Sequence, residues 1–589
     1  MKVFSKKEPI AEQNHQVITS DDVKNATSIL EKYKNSKLNL EKRIVENEKW
    51  WKMQHWDLIR TQSENEPEPA SGWLFNSIAN KHADAMESYP EPTVLPREQG
   101  DGEHAKVLSA ILPVLLERND FEKTYSDAWW YKLKTGTGCY GIFWNNTLDD
   151  GRGDIDIRHI DVLNLFWEGG IKDIQKSRNL FNVELVDNDI LEFNYPQVEG
   201  KLGTHTIDVA QYLYDDTVDT TNKSAVVDWY YKIKQGKKTT LHYCKFVGDT
   251  VLYASQNDPY YCQRGYYDHG LYPFVFDTLF NEEGTPCGFG YIDVMKDSQL
   301  YIDKLNQIIL KNVMQAGRRR FFISDNTGVN EEEFADWSKE FVHVAGNIDE
   351  RNMREITVSQ LDASVINLLN HKIDELKEIS GNRDVSNGGT ISGVVAASAI
   401  AALQEAGSKL SRDMIKNSYR VFRNINYMII ELMRQFYNDE RTFRITSDNG
   451  GVDFVQYKDN KFSLSEKRPI FDIVVTSARN SPFSKTAQNE LAKELFAAGI
   501  FNPERAVEAA MCVEMMDFEG KSTILEKIRA NIDTTRQQQH MTEQMRQMAQ
   551  MLEQAYSGGN YIQNTNNIIN KAAQTDADSR LSAIRKTIM

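Results

Sequence analysis

Apolar residues recur at three- and four-residue spacing over two stretches in the middle of the chain. The first carries Ile292, Met295, Ile302, Leu305, Ile309 and Val313, and the second Leu361, Val365, Leu368, Ile373, Leu376 and Ile379. That period predicts two amphipathic helices. Between them, Arg318 to Val358 hold RRRFFIS, EEEFADWSKEF and VHVAG, which read as a small α/β insert. Two rods bracketing an insert predict a hairpin with a knob at its far end, each limb reaching roughly 30–40 Å.

Upstream, residues 22–62 predict a helix with interleaved charges and a tryptophan cluster at Trp50, Trp51 and Trp56. Further helices are predicted over 72–88 and 104–134, separated by YPEPTVLP, whose prolines impose extended chain. From about 139 to 280 the pattern changes to β-branched and aromatic segments between Gly, Asn and Asp, which predicts strands of one mixed sheet region. Helical periodicity returns from Ala396 to Tyr437, about 60 Å of helix. Strands are predicted at 441–447 and 470–476. Near the end, Gly499 closes one helix and Asn502–Pro503 cap the next, while Met541, Met545, Met548, Leu552 and Ala555 keep the spacing of a coiled-coil seam or helical barrel. The fold class this predicts is α+β, mainly helical.

The long helix carries two stripes. Leu403, Leu410, Met414, Val421, Ile425, Met428 and Leu432 share one face; Lys409, Arg412, Lys416, Arg420 and Arg423 share another, roughly 145° away. Basic residues in register suit a phosphate backbone, an acidic neighbour or solvent, and Glu405 and Asp413 lie near them. At the helix mouth, NGGTISGVVAASAIAA combines glycines that accept unusual backbone angles with small side chains that allow close backbone approach. That suits either a crowded axis where copies converge or a tight crossing within one subunit.

Composition narrows the function classes. A chain of 589 residues, 40% hydrophobic and 26% charged, predicts two to four folded units rather than wholesale disorder. No apolar run has the length of a membrane span, and MKVFSKKEPIAEQ lacks a signal-peptide apolar region, so synthesis and retention in a cytoplasm are expected. The net charge of −16 argues against wrapping nucleic acid over the whole surface, though not against a local basic strip. Five scattered cysteines without C-x-x-C read as reduced thiols.

Gly136-Thr137-Gly138-Cys139-Tyr140-Gly141 matches a dinucleotide fingerprint, but a helix precedes it and a strand follows, the reverse of what phosphate binding needs. Gly389-Thr390-Ile391-Ser392-Gly393 has its serine one place late for a nucleophile elbow, and no Walker A motif occurs. Asp154, Asp156, His159 and Asp161 could together hold a divalent metal or could be a solvated strand edge. No catalytic residue, metal or cofactor is expected.

Six segments in order resemble the portal proteins of tailed bacteriophages: GWLFNSIANKHADAMESYPEPTVLP, WWYKLKTGTGCYGIFWNN, GYIDVMKDSQLYIDKLNQIILKNV, the second amphipathic stripe, ISGVVAASAIAALQEAGSKLSR and SARNSPFSKTAQNELAKELFAAGIF. The resemblance implies a wing–stem–clip–crown subunit assembled as a ring, usually of twelve copies, at one capsid vertex. It implies a wing at 1–290 with return strands at 438–480, stem helices at 291–317 and 359–380, and a clip at 318–358. A tunnel loop at 381–395, a tunnel helix at 396–437, a helical crown at 481–555 and a tail at 556–589 complete the plan. The implied function is a channel for DNA packaging and ejection, a virion protein made in the bacterial host cytoplasm. Implied partners are further copies of the chain, double-stranded DNA, terminase, a head–tail adaptor, and major capsid and scaffolding proteins, with no membrane.

Mapped onto that plan, Arg383 and the basic stripe would meet DNA, and Asn387, Gly388, Gly389, Ser392 and Gly393 would form the tunnel loop. Arg318, Arg319, Arg320, Glu331, Glu332, Glu333 and Trp337 would dock motor or adaptor proteins. Ring contacts would draw on the stem, the long helix and the tryptophan-bearing N-terminal helix. The competing readings are a metal-dependent nucleic-acid enzyme and another head–tail structural component.

Overall fold

The computed structural model describes residues 17–59, 66–200, 202, 222–235, 238–317, 321–323, 328–336, 341–345, 353–356, 361–381, 409–446, 452–457, 470–477, 494, 497, 499, 506–515 and 521–555. The chain divides into two compact units, Met1–Ala478 and Arg479–Met589.

In the first unit, helix α1 (Ser20–Trp51) starts where Asp22 accepts the Thr19 backbone N–H at 2.9 Å. The expected continuation to residue 62 breaks at Met53, whose φ is 57°, and one turn follows as α2 (Trp56–Ile59). Helix α3 (Trp73–Glu87) leads to strand β1 (Pro90–Pro96). The helix expected over 104–134 is two helices, α4 (Gly102–Arg118) and α5 (Phe121–Thr135), because Asp120 between them sits at φ 49°.

Eight strands and a short helix follow: β2 (Thr137–Asn145), β3 (Asp154–His159), β4 (Leu165–Trp167), β5 (Asn179–Asp187), α6 (Asn188–Asn194), β6 (Lys223–Gln235), β7 (Lys238–Val247), β8 (Thr250–Ala254) and β9 (Phe274–Thr278). They form two antiparallel sheets, ordered β3-β2-β9 and β4-β5-β6-β7-β8, which corrects the single mixed sheet expected from sequence. Connections such as Gly248–Asp249 between β7 and β8 are far too short for the crossover that parallel pairing needs.

A two-residue ribbon, β10 (Phe280–Asn281) with β11 (Gly288–Phe289), feeds helix α7 (Tyr291–Gly317). The insert then shows β12 (Phe321–Ile323), α8 (Glu331–Ala335) and β13 (Met353–Glu355), with β12 and β13 paired antiparallel. Helix α9 (Ala363–Ser380) packs back along α7. Helix α10 (Lys409–Phe436) crosses the three-stranded sheet on its β2 and β9 strands. Strands β14 (Arg441–Thr446) and β15 (Val452–Tyr457) make a hairpin, the second of them not foreseen, and β16 (Phe471–Ser477) pairs with β1 from Pro90↔Ser477 to Pro96↔Phe471.

Proline placement explains how a proline-rich segment can be a strand. Val94 donates its N–H to Ser109 Oγ (2.9 Å) and takes a bond back from that hydroxyl (3.2 Å), so its backbone points away from β16. Pro90, Pro92 and Pro96 share that parity. Their missing N–H groups fall on the outward edge, where the ladder asks for none.

Glycines set the junction where α5, β2 and α7 meet. Gly136 caps α5 with φ 93°, and a Cβ there would lie 2.3 Å from the Phe289 carbonyl carbon. A Cβ on Gly290 would fall 2.6 Å from the Lys134 carbonyl oxygen. Asn47 of α1 bridges the same place, donating to the Lys134 carbonyl and to Asp293 at 3.1 Å each. The root of α7 is thereby bolted to the wall of the sheet.

Among the described residues of this unit, three lysines are buried. Lys132 Nζ donates to Asp277 Oδ1 and Ser418 Oγ, both at 2.7 Å, while the Ser418 hydroxyl donates to Asp277 Oδ2 at 2.6 Å. Burial pulls Lys132 below its ordinary pKa and Asp277 opposes that pull. Lys81 Nζ donates to Ser411 Oγ (2.9 Å), which donates to Asp84 (2.8 Å). Lys37 donates to the carbonyls of Val162, Leu163 and Leu165, with Nζ 4.4 Å over the Phe166 ring.

In the second unit, α11 (Ala506–Met515) buries Ala509, Ala510 and Val513 against Ile528 of α12 (Lys521–Ala555), and Arg529 pairs with Glu514 at 2.8 Å. Of the predicted seam, Met541, Met545, Met548 and Leu552 are exposed on this chain, as is Met551, and the side chain of Ala555 lies outside the described residues. Among the described residues no helix is long and apolar enough to cross a membrane.

Replacing Lys132 with Met leaves the Asp277 carboxylate buried and unpaired, and is expected to cost about 3–5 kcal/mol in chemical denaturation; Lys132→Met/Asp277→Leu should recover most of it. His269 offers a pH signature. Its Nδ1 accepts the Leu271 N–H at 3.0 Å, and burial lowers its pKa from 6.5 to about 4. The unfolded chain takes up that proton first as pH falls. Stability from this site is therefore complete above pH 6.5 and fades toward pH 4, by up to about 3 kcal/mol. His269→Gln should flatten that part of the stability–pH curve.

Candidate functional site

Helix α10 owes its orientation to its inner face. Met414, Val421, Phe422, Ile425, Met428, Ile429, Leu432 and Met433 are buried, and Phe422 packs on Phe121 of α5 with ring centroids 5.5 Å apart. Ser411 and Ser418, two turns apart on that face, receive the ammonium groups of Lys81 and Lys132. Asn417 donates to the Thr278 carbonyl (2.9 Å) and Tyr419 to the Ser88 carbonyl (3.0 Å). At the far end, Gln435 donates to the Tyr266 carbonyl and accepts the Asp268 N–H (2.9 and 2.8 Å). Tyr437 donates to Asp154, and the Arg441 guanidinium lies 4.0 Å over the Tyr437 ring.

With rotation fixed in this way, Arg412, Lys416, Arg420 and Arg423 are exposed on the opposite face. Their spacing of four, four and three residues spreads the charges over about 16 Å. The stripe has a counter-charge at its end. Asp472 accepts from Arg97 at 2.5 Å, and that hydrogen bond, with the fields of Arg97 and Arg423, holds its carboxyl below the usual range. The side chain of Lys409 lies outside the described residues, as do Arg383 and the loop residues Asn387, Gly388, Gly389, Ser392 and Gly393.

In the insert, Glu331 and Glu332 are exposed on α8, whose Asn330 cap accepts the Glu333 N–H at 3.3 Å. Glu333 is half-buried. Its Oε2 takes the backbone N–H of His343 and lies 2.8 Å from that residue's Nδ1, so this carboxylate closes the insert on itself. Arg318, Arg319, Arg320 and Trp337 fall outside the described residues. Two residues not singled out from sequence stand out: Phe322 is 66% exposed and Phe341 75%.

The residues that could have made a metal site are used separately. Asp154 faces Tyr437 and Arg441, Asp156 lies 4.0 Å from Arg158, and Asp161 accepts from Tyr131 (2.7 Å) and the Leu163 N–H (2.8 Å). Among the described residues no group of three His, Cys, Asp or Glu could hold a metal ion. Gly136–Gly141 is the helix-to-strand turn its order implied, with no helix N-terminus to receive phosphate. The elbow-like residues 389–393 are outside the described set.

A serine, an aspartate and a histidine do converge elsewhere: Ser71 donates to Asp303 Oδ1, and His55 Nε2 is 3.1 Å from Asp303 Oδ2. The carboxylate stands between the other two, so the order differs from a Ser-His-Asp triad, in which the imidazole contacts the serine. The trio straps residues 66–72 along α7, where Gln307 also donates to the Pro67 carbonyl. Trp50 and Trp56 serve the same brace, flanking His55 with ring centroids 4.4 and 5.7 Å away, and are buried within the chain rather than offered to a ring neighbour.

The family model described as Phage P22-like portal protein matches residues 82–578. Among curated proteins, none matches the chain. Because the exposed stripe touches no core, Lys416→Ala/Arg420→Ala should change stability by under about 0.5 kcal/mol in a denaturant titration.

Proposed function

Because this chain belongs to the phage P22-like portal protein family, we propose that its copies, twelve in the family's usual ring, close around a bore at one capsid vertex. Double-stranded DNA enters the head through that bore during packaging and leaves through it at ejection. The observation that carries this reading is the family match over most of the chain.

On this reading, residues 1–290 and 438–480 form the wing, α7 and α9 the stem around a clip at 318–358, residues 381–395 the tunnel loop, and 396–437 the tunnel helix. Residues 481–555 form the crown, with 556–589 as the tail. A head-to-tail contact that closes makes a ring rather than a filament, and it needs apolar surface left over after the subunit folds. Ile308, Val313 and Met314 on α7 and Ile366 and Leu368 on α9 provide such surface, all of them exposed. Trp51, Phe75 and Trp130 add a half-open aromatic row in which Trp51 stacks on Phe75 at 4.8 Å and meets Trp130 at 5.5 Å.

The basic face of α10, with Arg383 in the tunnel loop, is assigned to passing DNA. Each phosphate neutralised by a lysine or arginine releases counterions, and many such contacts from every subunit would clamp the duplex. A short stripe on a chain of net charge −16 steers the polyanion without gripping it. Glu331 and Glu332, with the exposed Phe322 and Phe341 of the same insert, are assigned to docking terminase and the head–tail adaptor. Major capsid and scaffolding proteins complete the set of partners this reading expects.

Negative-stain images and native mass of the purified protein should show a ring with a central hole; a stable monomer inside assembled particles would refute the proposal. Lys416→Glu/Arg420→Glu should leave rings intact yet lower the DNA packaged per particle at least about ten-fold, since like charge now lines the path. Normal packaging by that variant would remove α10 from the DNA path.

A further inference from the structure

Strands β1 and β16 form a two-stranded ribbon whose two margins differ. The β1 margin is closed by Pro90, Pro92 and Pro96 and by Ser109 bonded to Val94. Val94 turns its backbone away from β16, so its antiparallel partner Ile473 turns its own away from β1. Phe471 and Val475 share that parity. Each of the three presents an N–H and a C=O outward, and none of these groups has a hydrogen-bond partner among the described residues. Nothing in Phe471–Ser477 blunts the margin, since the strand holds no proline and its register with β1 is unbroken.

The ribbon rests on two helices. Ser109 ties β1 to α4. Helix α10 runs along β16: Tyr419 reaches the Ser88 carbonyl near one end, and the Arg434 guanidinium lies 5.3 Å over the Phe471 ring at the other. A third strand beside β16 would therefore pass the flank of α10. Arg434 is already neutralised there by Glu431 at 2.6 Å. Arg420 and Arg423 are exposed and make no ion pair among the described residues. Arg423 is near enough that, after the hydrogen bond from Arg97, its field helps hold the Asp472 carboxyl low. The open margin thus lies beside uncompensated positive charge.

We propose that the β16 margin receives an extended segment of a different polypeptide as a third strand, with carboxylates on the side turned toward α10. Ladder hydrogen bonds supply affinity in strand addition, and alternate side chains supply specificity. Charge selects the occupant. The chain's own segment just before β16 sets Lys458, Lys461, Lys467 and Arg468 against Asp459 and Glu466, the wrong sign for Arg420 and Arg423. Among the described strands only β3 carries carboxylates at alternate positions, Asp154 and Asp156. Its own margin is engaged, because Asn119 takes the outward N–H of Ile157 at 3.0 Å. A second copy therefore has no described strand to offer, and an acidic segment from elsewhere fits.

Fluorescence anisotropy with the full-length protein tests this with three labelled peptides: TEVEVET, its lysine counterpart TKVKVKT, and TEVEVET N-methylated at every residue. TEVEVET should saturate, and TKVKVKT should bind at least about ten-fold more weakly. The N-methylated peptide cannot donate to a ladder and should also lose at least about ten-fold. Val475→Pro sets a proline opposite Pro92 and removes an N–H that β1 does not use, so TEVEVET should weaken about five-fold. Arg423→Glu, at an exposed side chain, is the second variant and should weaken TEVEVET about ten-fold with an unchanged unfolding midpoint. Absence of saturable binding, equal binding of all three peptides, or equal binding by the wild type and both variants would overturn the site. Self-association that Val475→Pro abolishes would seat a second copy on the margin and overturn the assignment to a different polypeptide. Failure of the peptides to bind leaves the family assignment and the bore untouched, because the titration reads neither ring nor DNA.

Discussion

An ammonium ion with no access to water sits where three parts of the first unit meet. Lys132 comes from α5, Asp277 from β9 and Ser418 from α10, and the three close a triangle of bonds between 2.6 and 2.7 Å. A buried charge deprived of its partners is among the most costly things a fold can contain. Turning α10 about its axis would withdraw Ser418 from that triangle and Ser411 from Lys81. The helix therefore has one rotation, and the direction in which Arg412, Lys416, Arg420 and Arg423 point is a consequence of groups on the opposite side.

The same economy recurs elsewhere in the unit: positions that must be exact are set by buried polar groups, and apolar packing fills around them. Lys37 ties α1 to the turn between the two sheets through three carbonyls. Asp303 gathers Ser71, Gln299 and His55 to strap an otherwise irregular segment along α7. Glycines supply what side chains cannot at the root of α7, where backbones approach too closely for a Cβ. On the outer face of α10 the four basic residues are exposed, and α7 and α9 expose Ile308, Val313, Met314, Ile366 and Leu368.

Much of this was legible from sequence because it follows periodicity. The stripes of α7, α9 and α10 were read from three- and four-residue spacing, and the Gly136–Gly141 turn from the order of its flanking elements. What escaped depended on contacts between distant residues. Lys81 and Lys132 lie in amphipathic helices where lysine ordinarily faces water, and the one hint was that Lys132 follows Trp129 and Trp130 in an otherwise apolar run. Two sheets were merged into one because the turn that separates them, at 160–164, carries neither proline nor glycine. The helix break at Met53 was missed since methionine does not advertise a left-handed conformation, whereas Asn119-Asp120, residue types that tolerate it, carried a signal that was read through. Glu333 read as one of three equivalent carboxylates, and only its neighbour His343 distinguishes it.

Strand β1 has a consequence for life in a crowd. A bare sheet margin is a template onto which any extended backbone can zip, and identical chains packed shoulder to shoulder supply such backbones at very high local concentration. Here three imino acids and one hydroxyl-satisfied valine leave that margin with nothing to donate. Such a zipper cannot start on this margin, because the single N–H it retains is already held by Ser109 of α4.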